Sequence, residues 1–310
     1  MESIKREELL KNRGLGATLK AAYGMFLSRF QYVLKHLWPA ALLFALFGSL
    51  IVTIPFTTQG QPSMWLFIPV MLLAIVASVV LYSRIAQLLN DKSWKWNVVR
   101  MIKLVLVDIV INLLVCVVIG VVWLLAWLLF APQESSTPVE AQLSMEQLAA
   151  ASLKILAVVG IVSVVIALLM VPFAFSYTKY LVDTESRLHQ VFGSSYKQGL
   201  RHWGYIFAII VLSGLLVTVV VLVICLPLII VYVAMGMNMQ GMAQGDPSGM
   251  PGGFGWLVYF VSAATYFVLS FVLVFFAFVA YYMYGTVESR QKEREAGDKL
   301  SAIKLVEEGA

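Results

Sequence analysis

Charge is what this sequence has least of: 13% of its 310 residues are Asp, Glu, Lys or Arg, about half the share of an ordinary soluble domain. Beside 61% hydrophobic residues, that scarcity excludes a chain folding around one water-bounded core. Cysteine is nearly missing too. The two present, Cys116 and Cys225, fall inside long apolar runs, where a thiol behaves as a small apolar side chain, so no disulfide framework is expected. There are three histidines, and no H-E-x-x-H pair, G-x-S-x-G turn or Gly-rich phosphate loop occurs. A non-enzymatic protein without cofactor or metal is therefore expected. The N-terminal stretch lacks a short apolar core followed by a small-residue cleavage site, so no cleaved signal peptide is expected.

What the sequence does have is oil in long runs. About 20 mostly apolar residues cross a bilayer as a helix, and six stretches qualify: 38–57, 64–83, 104–131, 153–176, 204–235 and 256–284. They leave room for one membrane domain, 1–290, and a short tail, 291–310. All but one of the 22 Lys and Arg, the exception being Lys154, lie before the first span, in the two even-numbered connections or after the last span. The positive-inside rule then places both termini and those connections in the cytoplasm. The formal charge of +5 thus reports topology. Its expected partner is anionic lipid headgroups of the cytoplasmic leaflet rather than nucleic acid, and no protein partner is indicated.

Ahead of the odd spans the apolar residues recur at helical spacing. Leu15, Leu19, Ala22, Tyr23, Phe26, Phe30, Val33, Leu34 and Leu37 form one stripe, with Lys20, Arg29 and Lys35 off it. Ahead of span five, Leu188, Val191, Phe192, Gly199, Leu200 and Trp203 oppose His189, Lys197, Gln198, Arg201 and His202. A shorter middle copy sets Trp94, Val98, Met101 and Val105 against Lys92, Lys95, Arg100 and Lys103. Such stripes predict amphipathic helices lying flat at the membrane surface, because Trp and long basic side chains join an apolar body to a polar tip. The steps Leu34-Lys35-His36 and Leu200-Arg201-His202 occupy matching places. The even spans end alike, at Tyr82-Ser83-Arg84, Tyr177-Thr178-Lys179 and Tyr282-Met283-Tyr284, and Glu185-Ser186-Arg187 is echoed by Glu288-Ser289-Arg290.

The expected fold is therefore an all-α integral membrane protein of six transmembrane helices. They form three hairpins, each preceded by a cytoplasmic interfacial amphipathic helix, in units of about 15–91, 92–186 and 187–290. This layout, over residues 15–290 and without a diagnostic motif, resembles the six-span membrane domain fused to some glycerophosphodiester phosphodiesterases and related stand-alone bacterial inner-membrane proteins. The resemblance implies a bacterial inner-membrane location. The soluble phosphodiesterase barrel is missing, so no catalytic residue carries over.

Asp108 and Asn112 stand four apart in span three and share a helix face. A carboxylate within a span is a functional candidate by default, but Asp108 follows closely on Lys103, so pairing with Arg84 or Lys103 is the expected reading and an ion or proton site the alternative. Prolines 39, 55, 69, 172 and 227 lie in or at the ends of spans and kink them. The outer loop after span five carries Met235, Met237, Met239, Met242 and Met250. Clustered thioethers resemble a Cu(I) site, yet without Cys or His beside them a mobile hairpin loop is the expected reading. Thr137-Pro138-Val139-Glu140 reads as the start of a short outer helix. These features predict a lipid-interacting scaffold or envelope-maintenance factor that contacts headgroups through Lys35, His36, Lys95, Arg100, Lys197, Arg201 and His202. The alternatives are a small-solute or ion transporter using Asp108 and Asn112, and an integral-membrane lipid enzyme.

Overall fold

The computed structural model describes residues 9–57, 64–90, 92–130, 140–245, 251 and 253–308. All regular secondary structure among them is helical: α1 Leu15–Ser28, α2 Phe30–Thr57, α3 Met64–Leu89, α4 Trp94–Phe130, α5 Glu140–Val182, α6 Leu188–Phe192, α7 Ser194–Arg201, α8 Trp203–Ala243 and α9 Phe254–Glu308. Six of these, α2, α3, α4, α5, α8 and α9, are long and apolar enough to cross a membrane. Unbroken helices are what the bilayer requires, since it offers no water to backbone groups. Thr137, Pro138, Val139 and Met250 lie outside the described residues, as do the side chains of Pro55, Glu140, Met239 and Met242.

Consecutive spans pack in pairs, α2 with α3, α4 with α5, and α8 with α9. The even spans α3, α5 and α9 also touch one another, and α9 is the hub, packing against α1, α2, α3, α5 and α8. Small side chains let α2 approach it: Ala41 and Ala45 are buried, and a Cβ on Gly48 would come within 3.4 Å of the Tyr266 ring. Close approach of small residues is how membrane helices gain van der Waals contact.

The basic segments gather at one end of the bundle, joined there by contacts among residues 9–14, 90–100, 179–187, 198–205 and 285–293. Trp residues mark the other end, with Trp65, Trp123, Trp127 and Trp256 exposed. From Lys103 to Trp123 is about 20 residues, ~30 Å of helix, which matches the hydrocarbon thickness. The best-packed core lies toward the basic end and holds Val33, Leu37, Leu81, Phe175, Ile206, Phe278, Met283 and Val287.

Two of the three lead-ins are separate helical elements. The middle one is not: residues 94–103 are the first turns of α4, since no Gly or Pro interrupts them. In the third, Gly193 at φ −102° and ψ −104° breaks α6 from α7. Nor do the separate lead-ins give their whole apolar stripe to a membrane surface. Helix α1 buries Leu19, Ala22 and Met25 against α9 and α8, leaving Leu15, Tyr23 and Leu27 exposed, as are Phe30 and Leu34 at the start of α2. Helix α7 docks on the proline of α5. Pro172 has no N–H, so the Leu168 carbonyl loses its intrahelical donor, and the Trp203 indole Nε1–H donates to it at 2.9 Å. Tyr196 Oη donates to the next carbonyl, of Leu169, at 3.0 Å. Between them Gly199 lies so close that a Cβ would stand 2.9 Å from the Pro172 carbonyl oxygen.

Candidate functional site at the basic end

Where α3, α4 and α5 meet, Asn90 and Asn97 exchange amide hydrogen bonds, Asn90 Nδ2 to Asn97 Oδ1 at 2.8 Å and Asn97 Nδ2 to Asn90 Oδ1 at 3.0 Å. Asn90 also donates to the Leu181 carbonyl at 2.8 Å, so one buried pair holds three chain segments. One turn on, Arg100 covers the end of α5. Its Nη1 donates to the carbonyls of Tyr180 and, at 2.8 Å, Asp183. Its Nη2 donates to Thr184 at 2.8 Å and Ser186 at 3.1 Å. The guanidinium lies over the rings of Trp96 and Tyr180, 4.1 and 4.5 Å from their centroids. A cation on the last carbonyls of a helix meets both their unsatisfied acceptors and the negative end of the dipole.

The second knot joins α5, α7 and α9. Lys179 Nζ donates to Glu288 Oε1 and, at 3.0 Å, to Gln198 Oε1, while Gln198 Nε2 donates to Glu288 Oε1 at 3.2 Å. This is the one ion pair among the described residues. The third fastens the segment before α1 to α9. Arg290 Nε donates to Asn12 Oδ1 at 2.9 Å, Asn12 Nδ2 donates to Glu293 Oε2 at 3.0 Å, and Leu9 is buried against Gly285, where a Cβ would fall 2.3 Å from the Leu9 carbonyl oxygen.

Set against these knots, the residues expected at the lipid headgroups fall into two groups. Lys35, Lys95, Lys197 and Arg201 are exposed, and among the described residues none of their side chains has a hydrogen-bond, ion-pair or ring partner. His36 is exposed and packs against the Tyr32 ring, tilted by 33°, its Nδ1 3.0 Å from the Tyr32 carbonyl. His202 Nδ1 stands in the same relation to the Gln198 carbonyl, at 3.1 Å. Arg100 differs, because both its terminal nitrogens bond backbone carbonyls of its own chain.

Asp108 and Asn112 are exposed on α4. Asn112 Nδ2 donates to the Asp108 carbonyl at 2.8 Å, and Asp108 lies within electrostatic reach of Tyr177. The expected pairing with Arg84 or Lys103 is not made: Arg84 instead donates to Gln87 at 3.2 Å and covers the Trp94 ring. Met235 and Met237 belong to α8, with Met237 exposed, so that stretch is helix rather than loop as far as Ala243. Among the described residues no group of three His, Cys, Asp or Glu could hold a metal ion.

Sequence reading missed Asn90, Asn97, Gln198 and Glu288 as organising residues. The one available signal was the paired Asn spacing across the short connection from α3 to α4. Fold and site together define an all-helical, multi-pass membrane protein with six spanning helices and exposed aromatic residues at both ends. No family model, curated protein or solved structure matches the chain.

Proposed function

We propose that the protein is a lipid-interacting scaffold of the bacterial inner membrane, its basic end facing the cytoplasm and holding anionic headgroups. The observation that carries this reading is the sorting of the cations. Arg100, Lys179 and Arg290 bond within the protein, whereas Lys35, Lys95, Lys197 and Arg201 stand exposed and unpartnered beside the exposed apolar side chains of Leu34, Trp38, Trp94, Val99 and Leu200. An exposed cation next to an apolar rim suits the headgroup boundary, and each contributes about 1 kcal/mol near an anionic surface.

The three-unit reading belongs to the same proposal. In its favour, α1 packs on α9, the first turns of α4 on α3, and α6 and α7 on α5. Each lead-in thus rests on the even span of another unit, and α1 closes the ring. The resemblance to the membrane domain of glycerophosphodiester phosphodiesterases is part of this proposal and concerns layout alone. Transport through Asp108 and Asn112 draws no support from two exposed side chains on one helix.

Native mass spectrometry of protein released from nanodiscs of phosphatidylglycerol and phosphatidylethanolamine tests the proposal. Changing Lys35, Lys95, Lys197 and Arg201 together to Gln should reduce retained phosphatidylglycerol by roughly tenfold or more. Unchanged retention would refute the headgroup assignment.

A further inference from the structure

Helix α4 is the least buried of the six spanning helices, with 6% of its most apolar stretch inside the protein, yet Asp108 and Asn112 stand exposed on it. Counted from Lys103 at the basic end, Asp108 lies about 8 Å and Asn112 about 14 Å along the helix. Asn112 is thus close to the middle of a hydrocarbon layer ~30 Å thick, and its short side chain does not reach the headgroups. Among the described residues its side chain makes one bond, from Nδ2 to the Asp108 carbonyl. The second N–H and Oδ1 are left without a partner. Polar side chains within a span are costly against lipid and turn toward protein, but a single copy of this chain gives Asn112 no protein to face. Cys116 and Gly120, also exposed, continue the stripe at four-residue steps, and a Cβ on Gly120 would meet nothing within 4 Å. Ridges at that step interdigitate between two helices, and small residues along them let the backbones approach.

We propose that this face of α4 is the interface between two copies of the chain, in which Asn112 pairs with Asn112 of the partner subunit. A second copy fits the face for two reasons. All copies enter the bilayer in one orientation, so a two-fold axis along the membrane normal brings residues of equal depth together. A carboxamide carries both donor and acceptor and is complementary to itself, as the reciprocal bonds of Asn90 and Asn97 show within this chain. Asp108 stands one turn nearer the headgroups, where crossing helices diverge, so its charge opposes the contact without blocking it. The opposite face of α4, with Val110, Leu114 and Val121 exposed, stays with the lipid.

The test is analytical ultracentrifugation of the full chain over a range of protein-to-detergent ratios, with oxidative crosslinking in proteoliposomes. The Cys225→Ala variant keeps Cys116 on the proposed face and should give a disulfide-linked dimer. The Cys116→Ala variant keeps Cys225 on α8 and measures random collision. Asn112→Leu should weaken dimerisation by roughly tenfold and deplete the Cys116 crosslink, and because Asn112 is exposed its replacement leaves the fold intact. Asp108→Asn provides an independent readout in the other direction. Removing the two opposed charges should tighten the dimer by roughly threefold. A chain monomeric at every ratio would leave this face to lipid or to another protein and overturn the proposal. So would a dimer indifferent to Asn112→Leu, a dimer weakened by Asp108→Asn, or a Cys116 crosslink no stronger than that of Cys225.

Discussion

The basic end and the opposite half of the bundle are held together differently. At the basic end the Asn90 bond to the Leu181 carbonyl, Arg100, the Lys179–Gln198–Glu288 knot and the Arg290–Asn12 contact each join segments far apart in sequence. In the opposite half, buried hydroxyls such as Ser49 and Thr53 bond carbonyls of their own helix, Leu46 and Ser49, and tie nothing together. Burial differs from helix to helix as well, α3 and α9 resembling α2 at 33% each. Of the most apolar stretch of α2, 39% is buried, against 6% for α4, 11% for α5 and 17% for α8. The two ends differ because the solvent changes along the helix. Near water, apolar faces gain by meeting and polar groups must find partners. Within lipid tails a leucine gains little by leaving one apolar neighbour for another, so α4, α5 and α8 keep their own surfaces.

Substitutions test that contrast, and thermal unfolding in one fixed detergent ranks them. The largest loss is expected for Gly285→Val, whose Cβ would meet the Leu9 carbonyl at 2.3 Å. Expelling Leu9 should cost about 3 kcal/mol, and a cysteine crosslink between positions 12 and 293 should disappear. Next comes Arg100→Ala, which strips the donors from the carbonyls at the end of α5, at roughly 2 kcal/mol. Arg100→Lys should recover little of it, a point charge being unable to span those carbonyls, and phosphatidylglycerol retention should not change in either variant. Trp203→Phe keeps the ring but leaves the Leu168 carbonyl without its donor, a loss of about 1–2 kcal/mol. The smallest effect belongs to the opposite half, where Leu114→Ala on exposed α4 should stay within about 0.5 kcal/mol. Equal losses for Leu114→Ala and Arg100→Ala would erase the contrast.

Much of this fold is written locally in the chain. Runs of about 20 apolar residues announce a spanning helix without reference to any other segment, and all six helices are present. The gathering of the basic segments at one end is likewise legible, because alternating spans bring alternate connections to the same side. The partners were not legible. Arg100 and Lys95 look alike in sequence, both basic and both within four residues of Trp96, yet one reaches carbonyls more than 80 residues away and the other has no partner among the described residues. Pro172 advertises a kink, but nothing local says that Trp203 supplies the donor missing at the Leu168 carbonyl, 35 residues away from Leu168. Residues 94–103 show why an amphipathic stripe does not by itself define a separate helix. The stripe is real, and Met101 is buried by it, but an element ends only where a residue breaks it, as at Gly193.

Pulsed electron–electron resonance in nanodiscs tests the difference between the two ends most directly. The native Cys116 and Cys225 sit on α4 and α8 and report the opposite half. Cysteines placed at 95 and 185 in a Cys116→Ala, Cys225→Ala background report the basic end. A narrow distance distribution is expected for the 95–185 pair and a clearly broader one for 116–225. A distribution for 95–185 as broad as that for 116–225 would contradict it.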